Sequence, residues 1–476
     1  MLATAPIFSL SDNTESTLSV GRLVNTQPRD FPAVAARLGA QFVASNRSRF
    51  DQLSVRAELV HSGFEPRLLL RSSHAVGSVG LISPTTGRDD ISLVVRPRFS
   101  WPSVGSVLSD CGMRVLPQLL ASPQLPYSER EVPRWVLSSV VLARLDALIR
   151  TLRPRFRMTD SDLPFPKGTV DWERWATSRV PHARSLELPC RFPDLAVDRE
   201  ILGFVHHVLL LQKASLLTQS SSAAAARALL TICNQLLTAV ANAPPRAASG
   251  GVVDRWMRQP LAGSALRDGL TAGLWTLDER GLGGRSELSG LAWRLDMEVV
   301  FETWVRAQLA RWAAQNGYQL RGDQDGETRI PIDWNPPYRG SQRSLRPDFV
   351  LTRRGSALIV DAKYKGHWDD INASAWGKVE EDIQEAHRAD LLQVLAYASA
   401  FDEPKIVCAL VYPCRAETWE ALAGKGLAVN RANISRGRQE IEIALMAVPF
   451  AAKPDDVRRV FDLALLGQPS DLRPLL

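Results

Sequence analysis

The residues best placed for chemistry lie in Ser344–Lys365, which reads SLRPDFVLTRRGSALIVDAKYK. Asp348 follows Pro347 and leads an apolar run, Phe349-Val350-Leu351; a second run, Ala357-Leu358-Ile359-Val360, leads into Asp361-Ala362-Lys363. The polar stretch Thr352-Arg353-Arg354-Gly355-Ser356 between them completes a β-hairpin pattern. Pairing Leu351 with Leu358 sets Asp348 opposite Asp361. Side chains alternate along a strand, so Asp361 and Lys363 share a face while Ala362 points back. Two carboxylates and an ammonium then gather at one end of the hairpin. Carboxylate oxygens suit Mg²⁺ or Mn²⁺. Such an ion lowers the pKa of a bound water and neutralises charge building on a phosphate. A neighbouring lysine can orient that water or steady the negative transition state. The same residues also read as a surface hairpin closed by an Asp–Lys ion pair. The apolar run ahead of Asp361 favours the first reading, because a solvated ion pair needs no buried strand leading into it.

Elements on either side must hold these groups. Asp296–Asn316 is expected as an amphipathic helix, with Met297, Phe301, Val305, Leu309 and Trp312 on one stripe and Gly317 as its C-cap. Glu298 and Glu302 lie one turn apart beside that stripe, and either is a candidate third acid. A helix over 379–401 carries Gln393 and Tyr397 on one face. Strands at Lys405–Tyr412 and Gln439–Val448 and a helix at Asp455–Leu466 make this an α/β arrangement around a mixed sheet. Arg346, Arg353, Arg354, Lys365 and Lys378 are candidate contacts to a DNA backbone, a salt-sensitive and sequence-blind contribution. Each reads equally as a solvated charge, and His367 reads as incidental.

Ahead of this region, residues 1–113 are expected to be β-rich. Strands are placed at Leu53–Val60, Arg67–Arg71, Val76–Ile82 and Ile91–Val95, with a turn over 84–90, forming a small antiparallel sheet or barrel. Arg96-Pro97-Arg98 closes the last strand. Residues 114–250 read as helical, with a helix at Val132–Arg150, a loop region containing Pro164, Pro166 and Gly168, and an αα-hairpin of Val197–Leu217 and Ala223–Ala243. His206 and His207 face different directions on that helix and suit packing better than a shared metal. The Pro244-Pro245 to Gly250-Gly251 stretch is the expected domain boundary, followed by a connector over 251–285 and a last domain over 286–476.

The 476 residues suffice for roughly two to four domains. A net charge of +6 allows an anionic partner without demanding one. Five scattered cysteines, none in a C-x-x-C pair, argue for reduced thiols in a cytoplasm and against a disulfide framework or zinc site. The opening residues MLATAPIFSLSDNTES lack the pattern of a signal peptide, and no segment reads as a membrane span. No G-x-x-x-x-G-K-[ST] loop is present to cradle a nucleotide.

In order, Phe301-Glu302, Pro347-Asp348, Asp361-Ala362-Lys363 and Gln393…Tyr397 resemble the PD-(D/E)xK nuclease superfamily over roughly residues 286–450. MEVVFETWV, RPDFVL, IVDAKYK and DLLQVLAYASAF narrow the likeness to the McrC family, the nuclease subunit of McrBC-type restriction systems. HAVGSVGLISPTTGRDDISLVVRPRF, KGTVDW and CRFPDLAVDREILGFV are similar to its N-terminal segments, with Arg98 where that family carries lysine. The resemblance implies a multidomain α+β protein: an N-terminal β-rich domain, a helical middle and a C-terminal restriction-endonuclease-like domain. It implies that Asp348, Asp361 and the carbonyl of Ala362 hold Mg²⁺, that Glu302 (or Glu298) binds a metal water or second ion, that Lys363 orients or deprotonates water, and that Gln393 and Tyr397 support the lysine or touch a phosphate. It further implies double-stranded DNA as substrate, a hexameric McrB-like AAA+ GTPase docked on the N-terminal half, and pairing of two complexes through their nuclease domains. Two rivals are a free-standing repair or recombination nuclease and a non-cleaving subunit that only activates the motor.

Overall fold

The structure, a computed structural model, describes residues 7–20, 32–62, 65–120, 132–152, 155–196, 198–259, 263–277, 291–336, 338, 340–366, 368–369, 381–436 and 439–467. The N-terminal elements are β1 (Ile7–Ser11), β2 (Glu15–Ser19), α1 (Pro32–Gln52), β3 (Val55–Ser62), β4 (Glu65–Ser72), β5 (Ala75–Ile82), β6 (Asp89–Arg96), α2 (Trp101–Asp110) and β7 (Gln118–Leu119). The four expected strands are all present, within two residues of their expected ends. They divide between two sheets rather than sharing one, with β2-β4-β3 forming a separate antiparallel sheet. Helix α1 was not expected. Its Phe42 and Phe50 enter a core with Phe8, Leu10, Val79 and Leu93. Asn46, fully buried on α1, bonds both the carbonyl and the N–H of Ile82, which pins the helix to the end of β5.

The middle of the chain contains α3 (Arg134–Thr151), β8 (Arg155–Leu163), β9 (Thr169–Val170), β10 (Leu188–Ala196), α4 (Arg199–Gln219), α5 (Ala224–Ala239), α6 (Gly250–Met257) and α7 (Ser264–Leu277). The stretch read as loop is a three-stranded sheet, β8-β10-β9. Its strand β8, RFRMTDSDL, is too polar for a period-two apolar signal. By length and apolarity α4 is long enough to cross a bilayer. Its Phe204, Val205, Val208 and Leu209 are nevertheless buried in protein, and His206 Nδ1 lies 2.6 Å from the carbonyl of Ala243. The expected boundary at 244–251 is overturned: Arg246 N–H bonds Gly203 O, and the expected connector carries α6 and α7, which pack with the other helices.

The last stretch contains β11 (Trp293–Asp296), α8 (Met297–Asn316), β12 (Gln319–Gly322), β13 (Ile330–Pro331), β14 (Ser344–Leu345), β15 (Phe349–Arg353), β16 (Ser356–Ala362), α9 (Glu381–Ala398), β17 (Lys405–Cys414), α10 (Ala416–Gly424), β18 (Val429–Arg436), β19 (Gln439–Pro449) and α11 (Pro454–Phe461). Strand order in the larger sheet is β12-β15-β16-β17-β19-β18. Strands β15 and β16 pair antiparallel with Leu351 opposite Leu358, as expected; β16, β17 and β19 run parallel. Residues 406–414 of β17 are buried throughout, as a central parallel strand requires.

Strand β11 pairs with β5 and β7, completing a five-stranded sheet, β1-β6-β5-β11-β7. Glycine at 77 permits this approach, since a Cβ there would sit 2.1 Å from Trp293 O. Residues 1–133, 222–225 and 282–476 accordingly form one compact unit, and 134–221 with 226–281 a second. The expected independent N-terminal domain is therefore merged with the C-terminal sheet, because the strand that completes it comes from the far side of the helical insertion.

Candidate metal centre

Helix α8 positions the leading acid. Asp296 caps it by accepting from the N–H groups of Glu298 and Val299, and Gly317 ends it in the left-handed conformation. Met297, Phe301, Val305, Leu309 and Trp312 are all buried, which fixes the helix's rotation. Glu302 is then half-buried and accepts from Gln324 Nε2 at 3.3 Å. Burial, then the charges of Asp323 and Asp361, raise its pKa despite that bond. Glu298 faces elsewhere, with Oε1 3.5 Å from His74 Nδ1. Of the two glutamates, Glu302 is the one in electrostatic reach of Asp348 and Asp361.

The hairpin supplies the rest. Asp348 Oδ2 accepts from the N–H of Ala362 at 2.8 Å, tying the start of β15 to the end of β16. Burial, followed by repulsion from Asp361, pushes the Asp348 carboxyl up to about 8. Asp361 is 1% exposed. Its Oδ2 lies 2.7 Å from Lys363 Nζ, while its Oδ1 is buried with no hydrogen-bond partner among the described residues. Burial raises its pKa too, against the pull of Lys363. Burial works to lower the Lys363 ammonium, but the charge of Asp361 and its bond to that carboxylate win and hold it up.

The expected helix pair falls into place behind the lysine. Lys363 Nζ donates to Gln393 Oε1 at 3.0 Å; Gln393 Nε2 donates to the Tyr397 hydroxyl at 2.6 Å; that hydroxyl donates to Arg346 O at 3.0 Å. The structure thus brings together Glu302, Asp348, Asp361, Lys363, Gln393 and Tyr397. Among the cations, Arg346 is exposed at the edge of this site. Arg353 and Arg354 sit at the hairpin turn, the end of β15 and β16 away from Asp348 and Asp361, and Arg353 stacks on Tyr318 instead. Lys365 is also committed: its Nζ lies 2.7 and 2.8 Å from the two oxygens of Asp390. Lys378 and His367 lie outside the described residues.

Two groups escaped the sequence reading. Asp390, 4% exposed, also accepts from the Tyr412 hydroxyl at 3.0 Å and adds its charge to that felt by Asp361. It lies three residues before Gln393, so the helix face that flagged Gln393 and Tyr397 includes it. The second is Tyr364, whose hydroxyl donates to Asp12 Oδ2 at 2.6 Å and whose ring lies under the Arg98 guanidinium at 4.7 Å. Asp12 Oδ1 accepts from the Arg98 N–H. Nothing local in the sequence links residues 12, 98 and 364.

The described residues also bring ligand atoms of His74, Asp296 and Glu298 within 4.8 Å of one another. Asp296 is already engaged there as helix cap and as partner of Arg294 at 2.9 Å, which accounts for the cluster without an ion. The trio Glu302, Asp348 and Asp361 is looser than that, with Asp361 Oδ2 turned toward the lysine. This second set could still hold a hard divalent cation: Asp361 carries a buried carboxylate oxygen with no donor among the described residues, and burial and neighbouring acids raise the pKa of Glu302 and Asp348 beside it.

A family profile described as "McrBC 5-methylcytosine restriction system component" matches residues 116–413, more than half of the chain. No curated protein matches the chain. The chain is similar to a structure of a half-complex of Thermococcus gammatolerans McrB AAA+ hexamers with bound McrC, at 13% identity and a TM-score of 0.38, covering 96% of this chain and 99% of that one. It is also similar to the Thermococcus gammatolerans McrBC complex, at 14% identity and a TM-score of 0.27, covering 67% of this chain and 90% of that one. On the strength of the profile, the chain belongs to the McrBC 5-methylcytosine restriction system component family.

Proposed function

We propose that this chain is the metal-dependent endonuclease subunit of a McrBC-like, modification-dependent restriction complex, cutting double-stranded DNA when coupled to an AAA+ GTPase motor in the cytoplasm. The observation that carries the reading is the buried Asp361 carboxylate, with one oxygen lacking a donor and the other against Lys363, beside Asp348 across the hairpin. Helix, acidic hairpin, helix and parallel strand occur in the order of a PD-(D/E)xK core. Family membership supports a restriction role. The McrB hexamers named with the Thermococcus structures supply the kind of partner, and pairing through nuclease domains would provide the second cut.

Asp348, Asp361 and the carbonyl of Ala362 would hold Mg²⁺ or Mn²⁺, with Glu302 on a water of the ion. When bound, the ion supplies an acidified water and charge neutralisation at the phosphate. Lys363 orients the attacking water and faces the charge that develops on the phosphoryl oxygens. Gln393 fixes the lysine's rotamer, and Tyr397, bonded to Arg346 O, fixes Gln393. The test is a nicking assay on methylated plasmid with Mg²⁺, with and without the motor. Asp361→Ala is expected to abolish cutting and Lys363→Ala to slow it about 10²–10⁴-fold, both with unchanged circular dichroism. Cutting at the parent rate in either variant would end the assignment. Cutting without a motor would favour the free-standing nuclease, and no cutting under any condition the activator-only rival.

A further inference from the structure

Strands β13 and β14 pair through Pro331 and Ser344, and the bond from Ile332 N–H to Arg343 O continues the ladder outward. The loop they carry presents two large aromatic rings to solvent: Trp334 is 43% and Tyr338 58% exposed. The rings meet edge to face at 5.9 Å. Trp334 Nε1, the indole's one polar atom, donates to Gln342 O at 2.8 Å, so the ring is held in place by its edge. Arg343 is exposed at the loop end of this ladder and Arg329 and Arg346 are exposed at its other end, with Asp333 and Glu327 as the exposed acids of the same stretch. Its base is bolted to the candidate metal centre: Thr328 Oγ1 donates to Pro347 O at 2.7 Å, Tyr397 donates to Arg346 O, and Asp348 follows directly. Arg343 lies five residues before Asp348, no more than about 18 Å of extended chain, roughly half a turn of duplex.

We propose that this loop is a DNA-contacting element, in which Trp334 and Tyr338 pack on bases or sugars beside the scissile phosphate while Arg343 and Arg346 meet flanking phosphates. The inference rests on the nuclease reading for its polyanionic partner. An indole fixed at its edge, a second exposed ring against it and exposed arginines at both ends of the strand pair match a nucleic acid, whose bases offer faces to stack on and whose phosphates pair with arginine. A protein surface would complement the rings but not the surplus of arginines.

The test uses the full chain carrying Asp361→Ala, so that binding is read without turnover, on a fluorescein-labelled duplex and on the same duplex with 2-aminopurine near the expected cut. Trp334→Ala and Tyr338→Ala are each expected to weaken binding about tenfold, the effect of one lost stacking contact, and to abolish the change in 2-aminopurine emission. Trp334→Phe is expected to retain most of the affinity. Arg343→Ala is expected to lower the slope of log affinity against log salt by about one. Unchanged affinity in the Trp334→Ala, Tyr338→Ala double variant, or loss of self-association in its place, overturns the inference. So does absence of binding by the parent chain with or without its motor. Failure of the wild-type chain to cut, with binding and its aromatic dependence intact, would count against the nuclease reading alone.

Discussion

Asp348 and Asp361 share one buried space, and the energetics of that space set a pH dependence. Burial and mutual repulsion make protonation of Asp348 favourable up to about pH 8, whereas an unfolded chain releases that proton near the ordinary carboxylate value of 3.8. Between those limits the folded state binds more protons than the unfolded one, so stability falls as pH rises. The raised pKa values of Asp361 and Glu302 act in the same direction. In EDTA, the urea midpoint is expected to decrease from pH 5 to pH 8, and Asp348→Asn is expected to flatten that trend. A midpoint that climbs with pH in the parent chain would contradict the burial described for this residue. Metal affinity should run the opposite way, tightening over the same window as the ion displaces the proton. Asp390 and Lys365 show why a cation near a motif is weak evidence for a phosphate contact: a buried carboxylate had a prior claim on it.

Helix α8 is specified almost entirely by its own residues. Its buried stripe and its terminating glycine are found where the sequence places them, and Asp296, read there as the first helical residue, caps the helix. Gly317 has a φ of 70°, a conformation that costs a residue with a Cβ about 1 kcal/mol or somewhat more. Gly317→Ala is expected to lower folding stability by about that amount, measured by urea denaturation, while leaving cleavage per folded molecule unchanged. A fall in turnover beyond the loss of folded protein would mean that the helix end reaches the site, against its position some 15 residues from Glu302.

Described residues from the N-terminal and C-terminal parts of the sequence share one compact unit. Phe99 stacks on Phe450 at 4.4 Å, and Phe301, Trp304 and Tyr364 close around the same ring. Phe99, from the N-terminal part, therefore belongs to the core beneath the candidate metal centre, as does the bond from Tyr364 to Asp12. Lys363 and Lys365 flank Tyr364, so the segment that carries both lysines is held by residues from the start of the chain. A fragment of residues 286–476 lacks these partners and is expected to be insoluble or to unfold well below the full chain in a thermal melt. Cooperative unfolding of that fragment at the parent temperature would show that the C-terminal sheet stands alone.

What was legible in the sequence was local. Strand alternation and a polar stretch that turns at Arg354-Gly355 determine that Leu351 meets Leu358 and bring Asp348 near Asp361, and helical spacing determines that Gln393 and Tyr397 share a face. The polar strand β8, the strand β10 with its prolines at 189 and 193, and the helix α1, whose apolar positions are interrupted by Arg37, Asn46 and Arg49, carry too little periodicity to be read that way. Only the tertiary structure decided which charges are neutralised, which arginines lie at the wrong end of the hairpin, and that β11 completes a sheet begun before residue 100. Those outcomes depend on pairings between residues tens to hundreds of positions apart, and no short-range pattern of residue types encodes which distant strand or carboxylate will arrive.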